Sequence, residues 1–289
     1  MIMKWVIPRI LNKFLEIFDP AICVTLNKKK LRIPFLSRVG YPDCWINEPW
    51  MINLLKILLP LKDGVFIDIG ANVGQTLINL KCVEPSIQYF GFEPNPLCTY
   101  CMIELIKKNN FKNCEIIPIG ISNKNEIATL NFYNREVDGA ATIVENFRSQ
   151  KIKYKFFVPV QSFEYVYKKL NLKNISIIKI DVEGAELEII KSLKSVLRDE
   201  RPFILCEILP VYSKDNTFRK KRQDEIEKII RTLDYKICRV EKEKNEKLTG
   251  LICLNKLGIH SDLSLCDYLF VPNEIYEDVL KQLNLRTNV

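Results

Sequence analysis

Residues 65–76, VFIDIGANVGQT, give the clearest indication of the fold in this sequence. An apolar run ends at Asp68, a short turn holds Gly70 and Gly74, and a segment with helical periodicity follows. This order is typical of the first strand, turn and helix of an open parallel sheet, where ligands bind at the carboxyl ends of the strands. A glycine can adopt a positive φ and, without a Cβ, lets a ligand or a neighbouring element come close. We therefore expect a ligand-binding site at this turn.

The chain beyond this unit repeats its pattern. Short apolar runs alternate with longer amphipathic runs, as expected for the strands and crossover helices of a parallel sheet. Five strands are predicted in this part of the chain, at residues 64–69, 87–93, 114–121, 175–181 and 202–209. Three more strands and a last helix are predicted at residues 235–241, 248–255, 267–272 and 273–284. The sequence therefore predicts an α/β fold with a doubly wound, mostly parallel sheet.

Two segments depart from this pattern. Residues 122–162 contain two β-type runs, IATLNFYN and KFFVPVQSF, and predict an inserted hairpin or flap over the substrate side. Residues 1–46 are expected to form an amino-terminal helical appendage to one domain over residues 47–289. The first 18 residues carry four charges and a proline, and fall short of the ~20 apolar residues that a membrane-spanning helix needs. They predict a helix packed on the domain, with peripheral membrane contact as the alternative.

Composition is that of an ordinary globular protein, since 47% of the residues are hydrophobic, 27% are charged and the mean hydropathy is −0.03. The ten cysteines are scattered, several within apolar runs, and no cleavable secretory signal is recognisable. Buried free thiols in a reducing compartment, the cytoplasm, are therefore expected. The net charge of +8 suits a solvated surface, an anionic substrate or a membrane surface, and does not choose among them.

One cysteine pair, Cys98 and Cys101, has the CxxC spacing of zinc and redox sites. The chain has no second CxxC, and its single histidine, His260, is far away in sequence. Zinc would need two more ligands from unrelated places. The pair and the histidine are therefore both expected to be structural.

Two acidic residues at the ends of the first two predicted strands indicate the kind of ligand. A dinucleotide pyrophosphate prefers bare helix amides, whereas S-adenosylmethionine carries an ammonium and a sulfonium that a carboxylate such as Asp68 attracts. The GxxxG spacing also does not complete the GxGxxG fingerprint of nicotinamide and flavin enzymes. Glu93 follows the turn by about 20 residues, where an acid can accept hydrogen bonds from ribose hydroxyls. The pair predicts a cationic adenosine ligand.

Carboxylates at the ends of the fourth and fifth predicted strands are candidates for the chemistry. Asp181 ends the apolar run IIKID and is the first candidate for a base or an acceptor-orienting group, followed by Glu207 and Glu183. Two such carboxylates could instead hold a divalent cation that acidifies a hydroxyl. Glu186 stands near the start of the next helix and is expected to stabilise that helix end.

The motifs VFIDIGANVGQT, FGFEPNP, IIKIDVEGAE and DYLFVP, in this order, resemble the FkbM-type methyltransferases over residues 47–272. The resemblance implies a Rossmann-like class I methyltransferase fold, S-adenosylmethionine as donor, and O-methylation of sugars, polyketides or related small molecules. It extends loosely to residues 139–142, without a defined role for them. The residues that the resemblance and its motifs assign to the cofactor are Asp68, Gly70, Asn72, Gly74, Glu93, Asn95, Gly120 and Ser122.

The sequence thus predicts an S-adenosylmethionine-dependent O-methyltransferase that acts on a hydroxyl of a sugar, glycan or related small molecule. A nucleic-acid methyltransferase is the first alternative, but no Asp-Pro-Pro-Tyr-like tetrapeptide or Pro-Cys pair is present, and the basic clusters lack interleaved aromatic residues. Nucleic acid is therefore not expected as a partner. The second alternative is an inactive, cofactor-binding partner of a glycan-assembly enzyme, because a fold does not prove an activity.

Overall fold

A computed structural model describes residues 21–36, 39–40, 48–134, 139–145, 147–244 and 246–287. The helix expected within residues 1–18 lies outside these ranges. The strands, in chain order, are β1 Ala21–Leu26, β2 Lys29–Leu36, β3 Val39–Gly40, β4 Val65–Ile69, β5 Tyr89–Phe92, β6 Cys114–Ile117, β7 Gly120–Ser122, β8 Glu126–Phe132, β9 Tyr154–Ser162, β10 Ile175–Ile180, β11 Phe203–Glu207, β12 Tyr235–Lys242, β13 Leu248–Cys253 and β14 Asp267–Pro272.

The α-helices of the described chain are α1 Pro49–Leu58, α2 Gln75–Val83, α3 Pro96–Asn109, α4 Phe163–Lys169, α5 Glu186–Asp199, α6 Thr217–Thr232 and α7 Tyr276–Thr287. Within the described ranges, none of the helices combines the length and the apolar character needed to cross a bilayer.

The central sheet has eight strands in the order β13-β12-β14-β11-β10-β4-β5-β6. The five strands from β11 to β6 are parallel, whereas β14 runs antiparallel to both β11 and β12. One buried apolar cluster on the first face of the sheet includes Trp50, Leu77 and Met102, and a second on the other face includes Phe163 and Ile230. Helices therefore cover both faces, which confirms the doubly wound, mostly parallel fold.

The insertion forms a second sheet, with strand order β7-β9-β8. Strands β8 and β9 pair antiparallel, as predicted for the hairpin. The extent predicted for the third strand was wrong, because the run 114–121 divides into β6 in the central sheet and β7 in this second sheet. The division falls at Pro118, which has no amide hydrogen to continue a ladder. This second sheet is called the flap sheet below.

Residues 21–40 correct the expectation of a helical appendage, because their described parts form the three-stranded sheet β1-β2-β3. Asn27 and Lys28 join β1 to β2 with φ values of 46° and 64°, the two consecutive positive values of a tight hairpin turn. Leu31 and Ile33 of β2 are buried in the same cluster as Trp50. This small sheet therefore packs on the α/β domain, and the domain boundary near residue 46 stays a prediction.

Lys81 is a buried cation at the end of α2, with only 2% of its surface exposed. Its ammonium donates to the carbonyl oxygens of Pro85 at 3.1 Å, Ile87 at 2.7 Å and Lys112 at 2.7 Å. It therefore ties the end of this helix to the loops that precede β5 and β6.

We expect Lys81→Met to lower the free energy of unfolding by about 2–3 kcal/mol, because methionine fits the space but removes the donor of three carbonyl groups, of which that of Ile87 is buried. Urea unfolding measures this difference. The matched control is Lys107→Met, whose side chain is 65% exposed and whose replacement should change stability by less than about 0.5 kcal/mol. Equal stability of the two variants would contradict the assigned role of Lys81.

Candidate functional site

A cavity of about 290 Å³ lies at the carboxyl ends of β4, β5, β10 and β11. Its wall includes the turn after β4, the ends of the neighbouring strands and part of the flap region. The predicted residues that line it are Gly70, Asn72, Glu93, Asn95, Gly120, Asp181, Glu183 and Glu207. Two of the loop residues assigned by resemblance, Gly139 and Ala141, line it as well. The structure thus brings most of the predicted site residues into one cavity.

The turn after β4 depends on Gly70, which adopts a φ of +84°. Its amide and that of Ala71 donate to the carbonyl oxygen of Phe92, at 3.0 and 3.1 Å. A Cβ on Gly70 would lie 1.8 Å from the backbone oxygen of Asp181. The absence of a side chain therefore lets the backbone after β4 pass directly against the backbone after β10.

Glu93 is held at the cavity wall by two backbone amides. Its Oε2 accepts from the amide of Asn72 and its Oε1 from the amide of Asn95, both at 2.8 Å. Burial raises the pKa of Glu93 to about 7, although the two amide hydrogen bonds favour the ionised form. Asn95 also caps α3, because its Oδ1 accepts from the amide of Leu97 at 3.0 Å. The carboxyl group is therefore preorganised and can change its protonation state near neutral pH.

Three predicted cofactor residues do not line the cavity. Asp68 lies within β4, is fully buried, and accepts a hydrogen bond from the hydroxyl of Tyr89 at 2.7 Å. Gly74 begins α2 with a φ of +97°, and Ser122 lies in β7 of the flap sheet. A Cβ on Gly74 would come within 2.9 Å of Leu105 in α3, so the close packing expected of this glycine is against a helix. Direct cofactor contacts of Asp68, Gly74 and Ser122 stay predictions.

Asp181 forms the centre of the acidic side of the cavity. The ammonium of Lys179 lies 2.8 Å from its Oδ2, and the side chain of Asp181 remains 34% exposed. Burial alone would raise the pKa of Asp181, but the neighbouring Lys179 lowers it overall. Glu207 hydrogen-bonds to Asp181, and the charge of Asp181, together with burial, raises the pKa of Glu207 well above its usual range. At neutral pH Asp181 is therefore the ionised member of the pair and Glu207 the protonated member.

Glu183 lines the cavity on the loop between β10 and α5, and Arg148 is its ion-pair partner. Burial and the nearby Asp181 raise the pKa of Glu183 to about 7, against the effect of Arg148. Glu186 does not line the cavity. Its Oε1 accepts a hydrogen bond from the amide of Gly184 at 2.8 Å, at the start of α5. It stabilises the helix start, as predicted.

The flap region is fastened to the same loop by Phe147. A Cβ on Gly184 would lie 2.7 Å from the ring of Phe147, so the ring packs directly on this glycine. The guanidinium of Arg219 lies 3.9 Å from the centre of the same ring. Phe147 is therefore held by Gly184 and Arg219, next to the acidic side of the cavity.

Among the charged residues that line the cavity, the sequence patterns did not indicate Lys179 and Glu48. Lys179 precedes Asp181 by two positions, and the period of two in a strand puts both on one face, so the run IIKID contained the signal for it. Glu48 precedes α1, and burial raises its pKa to about 7. Nothing in its sequence context indicated a site, because only the tertiary packing of α1 brings it there.

The two cysteines of the CxxC pair lie in different surroundings, and His260 lies outside the cavity. Cys101 is fully buried in α3, whereas Cys98 lines the cavity, with its Sγ 3.3 Å from Oδ1 of Asn72. His260 contacts the hydroxyl of Tyr268 at 3.2 Å and does not line the cavity. Within the described ranges, no group of three or more histidine, cysteine or acidic residues is arranged to hold a metal ion.

Comparison with known proteins gives a match to the family model of the methyltransferase FkbM domain over residues 68–237. A relative named Methyltransferase 1, from Beauveria bassiana (strain ARSEF 2860), is 23% identical over 166 residues, which cover 52% of this chain and 66% of that protein. The chain thus spans slightly less than two thirds of that relative.

Two solved structures share lower identity with this chain. Methyltransferase FkbM from Methylobacillus flagellatus KT is 13% identical with a TM-score of 0.44, over 72% of this chain and 43% of that one. The O-methyltransferase from Bacillus cereus in complex with SAH is 11% identical with a TM-score of 0.42, over 76% and 78% of the two chains. The family model, in contrast, matches more than half of the chain and includes the turn of Gly70, Glu93 and the cluster around Asp181. The chain therefore belongs to the FkbM methyltransferase family.

Proposed function

We propose that this protein is an S-adenosylmethionine-dependent O-methyltransferase, whose acceptor is a hydroxyl group of a sugar, a glycan or a related small molecule. The observation that carries the proposal is the cavity, in which a preorganised Glu93 and an ionised Asp181 stand on opposite sides of the Gly70 turn. Family membership supports the methyl transfer, and the carboxylates support a cationic donor.

The side of the cavity near Glu93 fits the donor. Its carboxylate is held by two amides but keeps lone pairs that can accept hydrogen bonds from ribose hydroxyls. The Gly70 turn presents backbone without a side chain at the cavity wall, which allows close approach of a ligand. When bound, S-adenosylmethionine supplies an electrophilic methyl group on a positively charged sulfur.

The side near Asp181 fits a hydroxyl acceptor. An ionised carboxylate can accept the hydrogen bond of the acceptor hydroxyl and orient its oxygen, and orientation is a large part of the catalysis of such a displacement. As the new carbon–oxygen bond forms and the carbon–sulfur bond breaks, the hydroxyl proton passes to Asp181. The protonated Glu207 remains hydrogen-bonded to Asp181 and stabilises its negative charge before the transfer.

The first experiment is calorimetry of the purified protein with S-adenosylmethionine and with S-adenosylhomocysteine. The second is a screen of neutral saccharides and lipid-linked glycans for formation of S-adenosylhomocysteine, with and without EDTA. We expect binding of both nucleosides and turnover that EDTA does not abolish. Binding without turnover on any acceptor would favour the inactive partner, and turnover restricted to RNA or DNA would overturn the proposed acceptor class.

We expect the affinity for S-adenosylmethionine to fall about tenfold between pH 8 and pH 6, because protons compete with the ribose hydroxyls for Glu93, whose pKa is raised by burial to about 7. Below pH 7 the binding should release a proton, which calorimetry in buffers of different ionisation enthalpy measures. Glu93→Gln should bind S-adenosylmethionine more weakly than the wild type, and its affinity should no longer fall between pH 8 and pH 6. The control is Glu126→Gln, which changes an exposed carboxylate in β8 and should leave binding unaltered. An unchanged pH profile in Glu93→Gln would contradict the assignment of Glu93 to the ribose hydroxyls.

A further inference from the structure

A cluster of charged side chains lies on one face of the central sheet, at its carboxyl edge. Asp267 of β14 is in register with Glu207 and accepts from Lys242 at 2.8 Å, and Glu48 lines the cavity near Lys179. Lys179 pairs in register with Asp68 of β4 and with Leu205 of β11. Side chains two positions apart in a strand share a face, so Asp181 and Glu207 point to the same side as Lys179. Lys179 therefore lies among the carboxyl groups of Asp68, Asp181 and Glu207, whereas Lys242 is the ion-pair partner of Asp267. Lys179, Asp181 and Glu207 line the cavity.

Lys179 is almost enclosed, with a side chain that is only 10% exposed. Burial alone would lower its pKa, but the charges of Asp181 and Asp68 raise it overall. Its ammonium lies 2.8 Å from Oδ2 of Asp181. Lys179 therefore stays protonated and fixed in place. Its ion-pair partner is Asp181, the carboxylate proposed to bind the acceptor hydroxyl.

Asp181 and Glu207 follow a pair of residues that are in register, Ile180 of β10 and Cys206 of β11, and both line the cavity, so their carboxyl groups lie close together. A hydrogen bond between them contributes to the opposite pKa shifts of the two groups. Two neighbouring carboxyl groups cannot both ionise readily, so one proton stays with the pair at neutral pH. The ammonium of Lys179 contacts Asp181, and the structure shows no ion pair between Lys179 and Glu207 among its described residues. The position of the cation thus decides which carboxyl group carries the negative charge.

We propose that Lys179 is a positioning residue of the methyl transfer: it holds the Asp181 carboxylate ionised and oriented toward the acceptor, and it leaves the shared proton on Glu207. The inference rests on the proposed function, because it requires Asp181 to receive the proton of the acceptor hydroxyl. Without Lys179, the proton shared by the pair spends part of its time on Asp181, which then cannot accept another. The reaction itself remains the same displacement, in which the proton passes from the acceptor oxygen to Asp181.

The test compares Lys179→Met with Lys179→Arg and with Lys173→Met, an exposed lysine that precedes β10. Single-turnover rates of S-adenosylhomocysteine formation are measured from pH 6.5 to pH 9. We expect Lys179→Met to be slower than the wild type by about 100-fold at pH 6.5 and by about tenfold at pH 9, because rising pH restores the ionised Asp181. Lys179→Arg should keep the pH profile of the wild type, and Lys173→Met should keep its rate.

A loss of the same size at every pH would show that Lys179 has only a structural role and would overturn the proposal. The double variant Lys179→Met with Asp181→Asn gives an independent answer. If Lys179 acts through Asp181, the lysine change should slow the Asp181→Asn protein by less than about threefold. Additive losses would also overturn the proposal.

A measurement that needs no activity separates this proposal from the proposed function. Carboxyl carbon shifts of protein labelled in its aspartates, assigned with Asp181→Asn, report the titration of Asp181 directly. We expect Asp181 to stay ionised down to pH 5 in the wild type and in Lys179→Arg, and to titrate at higher pH in Lys179→Met, if that variant folds. Titration of Asp181 above pH 6 in the wild type would overturn the proposal, whereas absence of methyl transfer with the expected titration would overturn only the proposed function.

Discussion

Replacement of Asp181 by asparagine is expected to lower the rate of methyl transfer by about 10²- to 10⁴-fold, the usual contribution of a general base. Asparagine keeps the shape of the side chain but cannot take a proton, and its amide would face the ammonium of Lys179, now at 2.8 Å from Oδ2 of Asp181. The affinity for S-adenosylmethionine should change by less than about threefold, because Glu93 and the Gly70 turn remain intact. Single-turnover formation of S-adenosylhomocysteine and calorimetry measure the two effects.

The matched control for this variant is Asp199→Asn, an aspartate at the end of α5 whose side chain is 61% exposed. It should keep the full rate and the full affinity. Full turnover in Asp181→Asn, with the cofactor still bound, would exclude Asp181 as the base. Glu183 would then be the next candidate for that role. An equal loss of rate and of cofactor affinity would indicate instead that Asp181 acts mainly in donor binding.

Replacement of Gly70 by alanine is expected to destabilise the protein by about 3–5 kcal/mol and to remove measurable binding of S-adenosylmethionine. The new Cβ would lie 1.8 Å from the backbone oxygen of Asp181, a collision that no side-chain rotation relieves. The residue would also have to keep a φ of +84°, which costs an L-amino acid further free energy. The collision can be avoided only if the ends of β4 and β10 move apart where they line the cavity.

Urea unfolding and calorimetry measure the two effects of Gly70→Ala. The control is Gly250→Ala in β13, where a Cβ would meet nothing within 4 Å. This control should be as stable as the wild type or slightly more stable, because alanine restricts the unfolded chain. Unchanged cofactor binding in Gly70→Ala would show that the turn tolerates a side chain and that the cavity wall is built differently.

The alternating pattern of the sequence predicted the central sheet well, because buried parallel strands are nearly continuous apolar runs and their ends are marked by polar residues. Asp181 and Glu207 could be placed at one edge of the sheet for this reason. The same period of two places Lys179 on the face of Asp181, but a lysine within an apolar strand belongs to no recognisable site motif. Glu48 could not be found in this way, because its place depends on how α1 packs across the sheet.

Sequence reasoning failed where tertiary pairing overrides a local pattern. The run 114–121 reads as one strand, and its division between two sheets at Pro118 depends on the pairing of β7 with β9. Asp68 reads as a strand-end carboxylate, and it stands one residue before the end of β4, where the hydroxyl of Tyr89 donates to it. Strand pairing could not be read from the sequence, because local patterns do not show which strands lie side by side.

Phe147 connects the flap region to the loop after β10, because its ring packs on Gly184 and its centre lies 3.9 Å from the guanidinium of Arg219. Gly139, Ala141 and Ile143, a few residues before Phe147 in the chain, line the same cavity as Asp181 and Glu183. A Cβ at position 184 would lie 2.7 Å from the ring. Any other residue in place of Gly184 would therefore push Phe147 out of its present position beside the acidic loop.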